Sequence, residues 1–363
     1  MQALGDAAGA KERALNSFGV LQLFGALMVM YRHQFVLMGM PGPAYMGSLA
    51  AGMAGVKVIF VGSGYLITKS FERDPHFGRY MRKRLVRLYP PFIASLLFSV
   101  LIVGPLMTNI PIAAYIPGAF RYVRDNLLMN PMFALPGVFT DNPYPNAVNG
   151  SYWTMPLVVV LYVVIAAVTW LLLKIKSQKV RTAVSGLVAA AFMAGYWAQT
   201  RLLPADYRMI VWGTDWVSTA VWSAVPYYLI GSFVAVSGWE KYFNLPAAAL
   251  IAVFASGIKY RGMDLVAMPV VSYLILSLCF CETPFLSAWV KKHPISYGVY
   301  LYGFVVQQIL LQLLWVRAGI QVSPNIYFAA SLVLTVALSL VSCHLVEKPS
   351  TRWLNGLWKK EKE

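Results

Sequence analysis

The stretch Ile59–Pro90, "IFVGSGYLITKSFERDPHFGRYMRKRLVRLYP", decides how the chain is read. Its opening third is apolar enough to lie in hydrocarbon. The remainder carries Lys69, Arg73, Arg79, Arg82, Lys83, Arg84 and Arg87, seven of the chain's 30 Lys and Arg. A hydrophobic run that meets so dense a block of cations marks a membrane edge, because Lys and Arg collect where a helix leaves the bilayer on its cytoplasmic side.

Composition agrees. Of 363 residues, 59% are hydrophobic and only 12% charged, with a mean hydropathy of +0.61. A soluble globular domain carries roughly twice that charge, so a soluble fold and a disordered chain are both excluded. The N-terminal "MQALGDAAGAKERALNSFGV" lacks the short apolar core and small-residue cleavage site of a signal peptide, so the first helix is expected to stay. Ten apolar stretches lie at about 17–39, 48–68, 90–107, 152–173, 183–199, 216–236, 245–257, 264–281, 296–316 and 326–345. The expected fold is therefore all-α, a polytopic membrane helix bundle of about ten spans that forms a single domain over 1–363. With both termini cytoplasmic, the inside segments hold 21 Lys and Arg against seven outside. That bias sets the orientation and also accounts for the net charge of +16 without nucleic acid.

Three features exceed the needs of topology. Arg84 and Arg87 are three apart, on one face of a helix, and guanidinium forks at that spacing suit a phosphate-bearing ligand. His33, with Arg32 before it, lies deep in the first span, where ionisable groups are costly and functional by default; a structural histidine is the competing reading. The segment 108–151, expected as a long outer loop, is rich in Pro, Asn and Tyr, and its aromatic faces suit a sugar. The three Cys lack metal-ligand spacing and read as packing residues, and no metal motif is present in the sequence. The tail 346–363 is expected to be cytoplasmic.

These stretches resemble the acyltransferase-3 family of membrane-bound acyltransferases. "GVKVIFVGSGYLITKSFERDPHFGRYMRKRLVRLYPPF" is similar to that family's second-span signature and its R-x-x-R-φ-Y/F-P ending. "FGVLQLFGALMVMYRHQF" resembles its first span, "VNGSYWTMP" its N-G-S-L-W-T-L-P segment, "ISYGVYLYGFVVQQ" its S-Y-G-I-Y-L-Y box and "VEKPSTRW" its V-E-K/R-P box. Together they cover nearly the whole chain.

The resemblance implies a bacterial inner-membrane enzyme that takes an acetyl group from cytoplasmic acetyl-CoA. The implied acceptor is a sugar hydroxyl on an exported polysaccharide or lipid-linked oligosaccharide, with polysaccharide assembly machinery as a further partner. It makes His33 the catalytic base beside Arg32. Arg84, Arg87, Arg82, Lys83, Ser63 and Lys57 would serve the acyl-CoA, with Arg32, Ser63 or Lys57 as donors to the oxyanion. Asn149, Trp153, Tyr144 and Asp215 would meet the carbohydrate. Direct transfer in a ternary complex is expected, ahead of an acyl-histidine. The departures are specific: Val158 stands where the family has an acidic residue, Gly19 and Gln22 replace an Asp and an Arg, and Gly303 replaces a common His. Without that acid, Asp215 or Asp141 is the expected substitute partner for His33. The competing expectation is a relative without catalysis, acting as a transporter or flippase.

Overall fold

The computed structural model describes residues 17–42, 54–204, 222–255 and 265–356, with the backbone course of the elements that flank them. The helices are α1 (Gln2–Leu37), α2 (Ala51–Arg73), α3 (Phe77–Phe98), the short α4 (Gly104–Met107), α5 (Ile112–Leu127), α6 (Thr154–Leu173) and α7 (Gln178–Leu202). They continue with α8 (Ser218–Ser237), α9 (Leu245–Gly257), α10 (Met263–Phe280), α11 (Pro284–Lys292), α12 (Ser296–Leu311), α13 (Pro324–Ser342) and α14 (Lys348–Lys360). Two antiparallel ribbons, Ala44–Tyr45 with Leu49–Ala50 and Arg208–Val211 with Thr214–Val217, are the strands. A helix lies at each of the ten apolar stretches expected. By length and composition five are able to cross a membrane: Ser17–Leu37, Phe77–Met107, Gly150–Leu173, Ser296–Arg317 and Pro324–Gly356. Leu265–Phe280 and Pro284–Lys292, bent by 85° at their junction, make a sixth among the described residues. The exposed Leu101, Leu106, Leu187, Val253, Phe254 and Val333 form a surface that only lipid covers well.

Close backbone contact holds the centre. Between helices in lipid there is little hydrophobic gain from association, so small residues that let backbones touch decide the packing. α2 lies between α1 and α8. A Cβ added at Gly25 would stand 2.9 Å from the Gly55 carbonyl, and one at Gly64 or Gly231 would overlap the carbonyl of Tyr228 or Val61 across the α2–α8 seam. Gly64 thus seats α2 on α8, while its neighbour Ser63 lines a cavity between the helices.

Two local readings change. The basic segment before Pro90 and the apolar stretch expected from residue 90 are one helix, α3, which runs unbroken through Pro90 and Pro91. Those prolines lack the N–H groups that would bond the carbonyls of Val86 and Arg87. In 108–151, α5 forms around Pro117 and Gly118, and buries Tyr115, Tyr122, Asp125 and Asn126. The Tyr115 hydroxyl donates to the Val100 carbonyl at 2.8 Å, and Arg124 pairs with Asp125 at 2.6 Å, a hydrogen bond that holds its carboxyl below the usual range. Asn142 donates to the Gln308 side-chain oxygen at 2.7 Å, which ties the rest of the segment to α12.

The α2–α8 contact gives a stability prediction. Gly64→Ala should lower stability by about 2 kcal/mol or more, since the backbone it meets cannot rotate away. Gly356→Ala, with nothing within 4 Å, should not. Thermal unfolding in detergent compares them, and equal midpoints would contradict this packing.

Candidate active site

Two cavities meet at the end of the bundle where α3 begins. The larger, about 560 Å³, is lined by Lys83, Arg84, Arg87, Lys291, Lys348 and Arg352, with Glu347 the acidic side chain among its lining residues. The smaller, about 160 Å³, runs between the helices and is lined by Gln22, Val56, Ser63, Thr154, Val158, Tyr162 and Tyr300 among others. Arg84, Arg87, Ser296 and Tyr297 line both, so they form the neck between a cationic bowl and a mostly apolar slot. Different elements bring these groups together: α3 supplies the arginines, α12 the tyrosines, and a π turn at Cys343–Glu347 swings Glu347 to the wall before α14 begins.

The cations differ in what they already hold. Lys83 pairs with Asp74 at 3.1 Å, and Arg79 grips the same carboxylate at 2.6 Å. The Arg79 hydrogen bond keeps Asp74 down at about pKa 2, so this clamp stays charged at any physiological pH. Arg84 donates to Ser70 at 2.7 Å and lies 5.6 Å from the centre of the Tyr80 ring, but its Nε is buried without an acceptor. Among the described residues Arg87 has no hydrogen-bond or ion-pair partner, and one carboxylate oxygen of Glu347 is buried and unpartnered. The orphaned Arg84 Nε and the open Arg87 guanidinium on a basic wall are donors that an anion satisfies.

The expected site residues divide. Arg84, Arg87, Lys83 and Ser63 gather on the cavities. Arg82 and Lys57 are not in either lining; Lys57 lies over the Tyr227 ring at 5.0 Å. His33 is partly open near the opposite end of α1, its ring 5.1 Å from Phe304. Phe304 also meets the exposed Tyr144, at 6.4 Å between ring centres. Arg32 points elsewhere, packed against Gly42 with one guanidinium nitrogen buried and unpartnered. Asn149 is fully buried, donating to the Leu301 carbonyl at 2.6 Å and accepting from the Ser151 N–H at 3.0 Å, and Trp153 packs half-buried on the core. Asp215 lies outside the residues whose side chains are described; Asp141 is exposed. Lys291, Lys348, Arg352 and Glu347 join the site only through the fold, although "VEKPSTR" places Lys348 and Arg352 four apart on one helix face.

Val158 has a clear location. It lines the slot, one turn of α6 from Thr154. Thr154 is hydrogen-bonded to Tyr300, and Phe304, the ring that His33 touches, is one turn farther along α12. An acid at 158 would therefore line the slot, which Arg84 and Arg87 also line and His33 does not.

A bundle of apolar helices with a basic bowl opening into a slot is an architecture suited to a multi-pass membrane enzyme. The comparisons agree with that class. The acyltransferase-3 family model, described as an acyltransferase domain, matches residues 15–344, and the chain belongs to this family. It is a multi-pass membrane acyltransferase. The chain is 26% identical to an "O-acetyl transferase" of Shigella phage Sf6, covering 92% of this chain and 95% of that one. It is 24% identical to "Nodulation protein 10" of Rhizobium leguminosarum bv. viciae, over 94% of this chain and 95% of the relative. No solved structure matches.

The placement of Val158 yields a kinetic prediction. Val158→Glu should change the KM for the acyl donor and leave the pH dependence of kcat in place. A moved pH profile, with KM unchanged, would mean that position 158 acts on His33 after all.

Proposed function

We propose that this chain is an O-acetyltransferase of the bacterial inner membrane, with both termini cytoplasmic, about ten spans and the basic bowl facing the cytoplasm. It moves an acetyl group from acetyl-CoA to a sugar hydroxyl of an exported polysaccharide or lipid-linked oligosaccharide. The observation that carries this reading is the neck at Arg84, Arg87, Ser296 and Tyr297, which joins a cationic bowl to a mostly apolar slot that reaches Tyr300, one turn of α12 from the Phe304 ring beside His33. Arg87 and the orphaned Arg84 Nε fit the phosphates, with Lys291, Lys348 and Arg352 around them. The slot suits the thinner, mostly uncharged arm. Acetyl-CoA supplies the activated acyl group. The name of one relative, "O-acetyl transferase", agrees with acetyl transfer.

His33 performs the proton work. A sugar hydroxyl is a weak nucleophile at neutral pH, and an imidazole within hydrogen-bond reach takes its proton as the oxygen attacks. Tyr144 and Phe304 beside His33 provide faces on which a sugar ring can rest. Among the described residues no carboxylate bonds the His33 ring, so the ring is oriented by its contact with Phe304 and by the helix itself.

Proton NMR of polysaccharide from a deletion strain tests this reading. O-acetyl signals should return with the native chain and fall at least about 100-fold with His33→Ala at equal protein level, the size expected for a lost general base. Full acetylation by the His33→Ala chain would contradict the base role, and signals unaffected by deletion would contradict the acceptor.

A further inference from the structure

The deep end of the slot holds a pair of hydroxyls whose role the donor and base assignments leave open. Tyr300 on α12 and Thr154 at the start of α6 both line this cavity, and both are at least nine-tenths buried. Their oxygens are 2.8 Å apart. Each also lies within reach of the same acceptor, the Ser151 carbonyl, at 3.1 Å from Tyr300 and 3.3 Å from Thr154. Two protons therefore serve three contacts. With Thr154 donating to the Tyr300 oxygen, the Tyr300 proton is able to leave the Ser151 carbonyl and turn into the slot while its oxygen accepts from Thr154. Ser151 itself is fixed, because its N–H donates to the Asn149 side chain and Asn149 is anchored on the Leu301 carbonyl. In the resting arrangement the hydroxyl pair is thus tied through the Ser151 carbonyl to the "NGSYW" turn.

Position completes the case. Tyr300 is one turn of α12, about 6 Å, from Phe304, against which His33 packs. His33 does not itself line the slot, and Tyr300 is the lining residue that stands on α12 between Tyr297 at the neck and the Phe304 ring beside His33. Ser63 and Gln22 are the other polar groups on α1 and α2 that line the slot.

Building on the acetyl-transfer reading, we propose that Tyr300, supported by Thr154, is a catalytic residue: its hydroxyl donates a hydrogen bond to the acyl carbonyl oxygen as negative charge develops there. The balance of the step is simple. The acceptor O–H gives its proton to His33 as its oxygen bonds the acyl carbon, the C–S bond breaks, and the same proton passes to the departing sulfur. Tyr300 donates a hydrogen bond throughout and loses no proton. A preformed donor in a water-poor site is worth about 100-fold or more in kcat, because it needs no reorganisation as charge appears. The structural alternative is a staple that merely ties α12 to the turn before α6.

The test uses the full chain in detergent, with acetyl-CoA as donor and alkali-de-O-acetylated polysaccharide of the source bacterium as acceptor. Tyr300→Phe keeps the ring and should lower kcat by about 100-fold, with KM and the calorimetric affinity for coenzyme A within twofold of native. Thr154→Ser should keep native kcat, and Thr154→Val should lose part of it. If native chain is active and His33→Ala is not, yet Tyr300→Phe with Thr154→Val retains native kcat, the hydroxyl pair is only a staple. If kcat and coenzyme A affinity fall together with the unfolding temperature, the role is likewise structural. Absence of transfer by the native chain itself would overturn the acetyl-transfer reading and this role together.

Discussion

Arg84 and Arg87 face a cavity at the point where α3 enters the bundle, and among the described residues neither is paired with a carboxylate. Arg84 is part-buried with an unpartnered Nε, while Arg87 stands open on the cavity wall near Glu347. Arg84 is partly answered by Ser70 and the Tyr80 ring, while Asp74 is committed to Arg79 and Lys83. That leaves a cationic surface whose natural complement is a polyanion. The bowl, the neck and the slot are arranged around this unsatisfied charge.

The apolar architecture keeps that arrangement in register. α2 is wedged between α1 and α8 by glycines whose backbones touch, and a single residue step along α2 separates the packing glycine, Gly64, from the cavity-lining Ser63. On the far side, α12 carries Tyr297 at the neck, Tyr300 at the deep end and Phe304 against His33, each about one turn from the next. One helix therefore runs from the neck, past the hydroxyl pair in the slot, to the ring beside His33. The segment tied down by α5, Asn142 and Gln308 closes the bundle over the His33 end.

Much of this was legible from residues alone, for physical reasons. Apolar runs of bilayer length announce their helices, and the block from Lys69 to Arg87 announces its edge. Arg84 and Arg87 were readable as a pair because three residues on a helix is a local spacing. Lys291, Lys348 and Arg352 were not, since only the tertiary fold brings α11 and α14 to the same wall. α5 was hidden by Pro117 and Gly118, which signal a loop locally but are overridden by the burial of Tyr115 and Tyr122. Asn149 looks like a sugar-binding amide in sequence, yet its amide is spent on Leu301 and Ser151. A motif records that a residue matters, and only its partners show how.

The most direct test of the central claim is calorimetric binding of coenzyme A to the purified full chain, native and with both Arg84→Ala and Arg87→Ala. Binding that weakens at least about tenfold in the double variant, and weakens with added salt in the native chain, is the predicted result, since each lost charge-assisted contact removes roughly 1.5–3 kcal/mol. Equal affinity in the two chains would contradict the assignment of the basic bowl as the donor site.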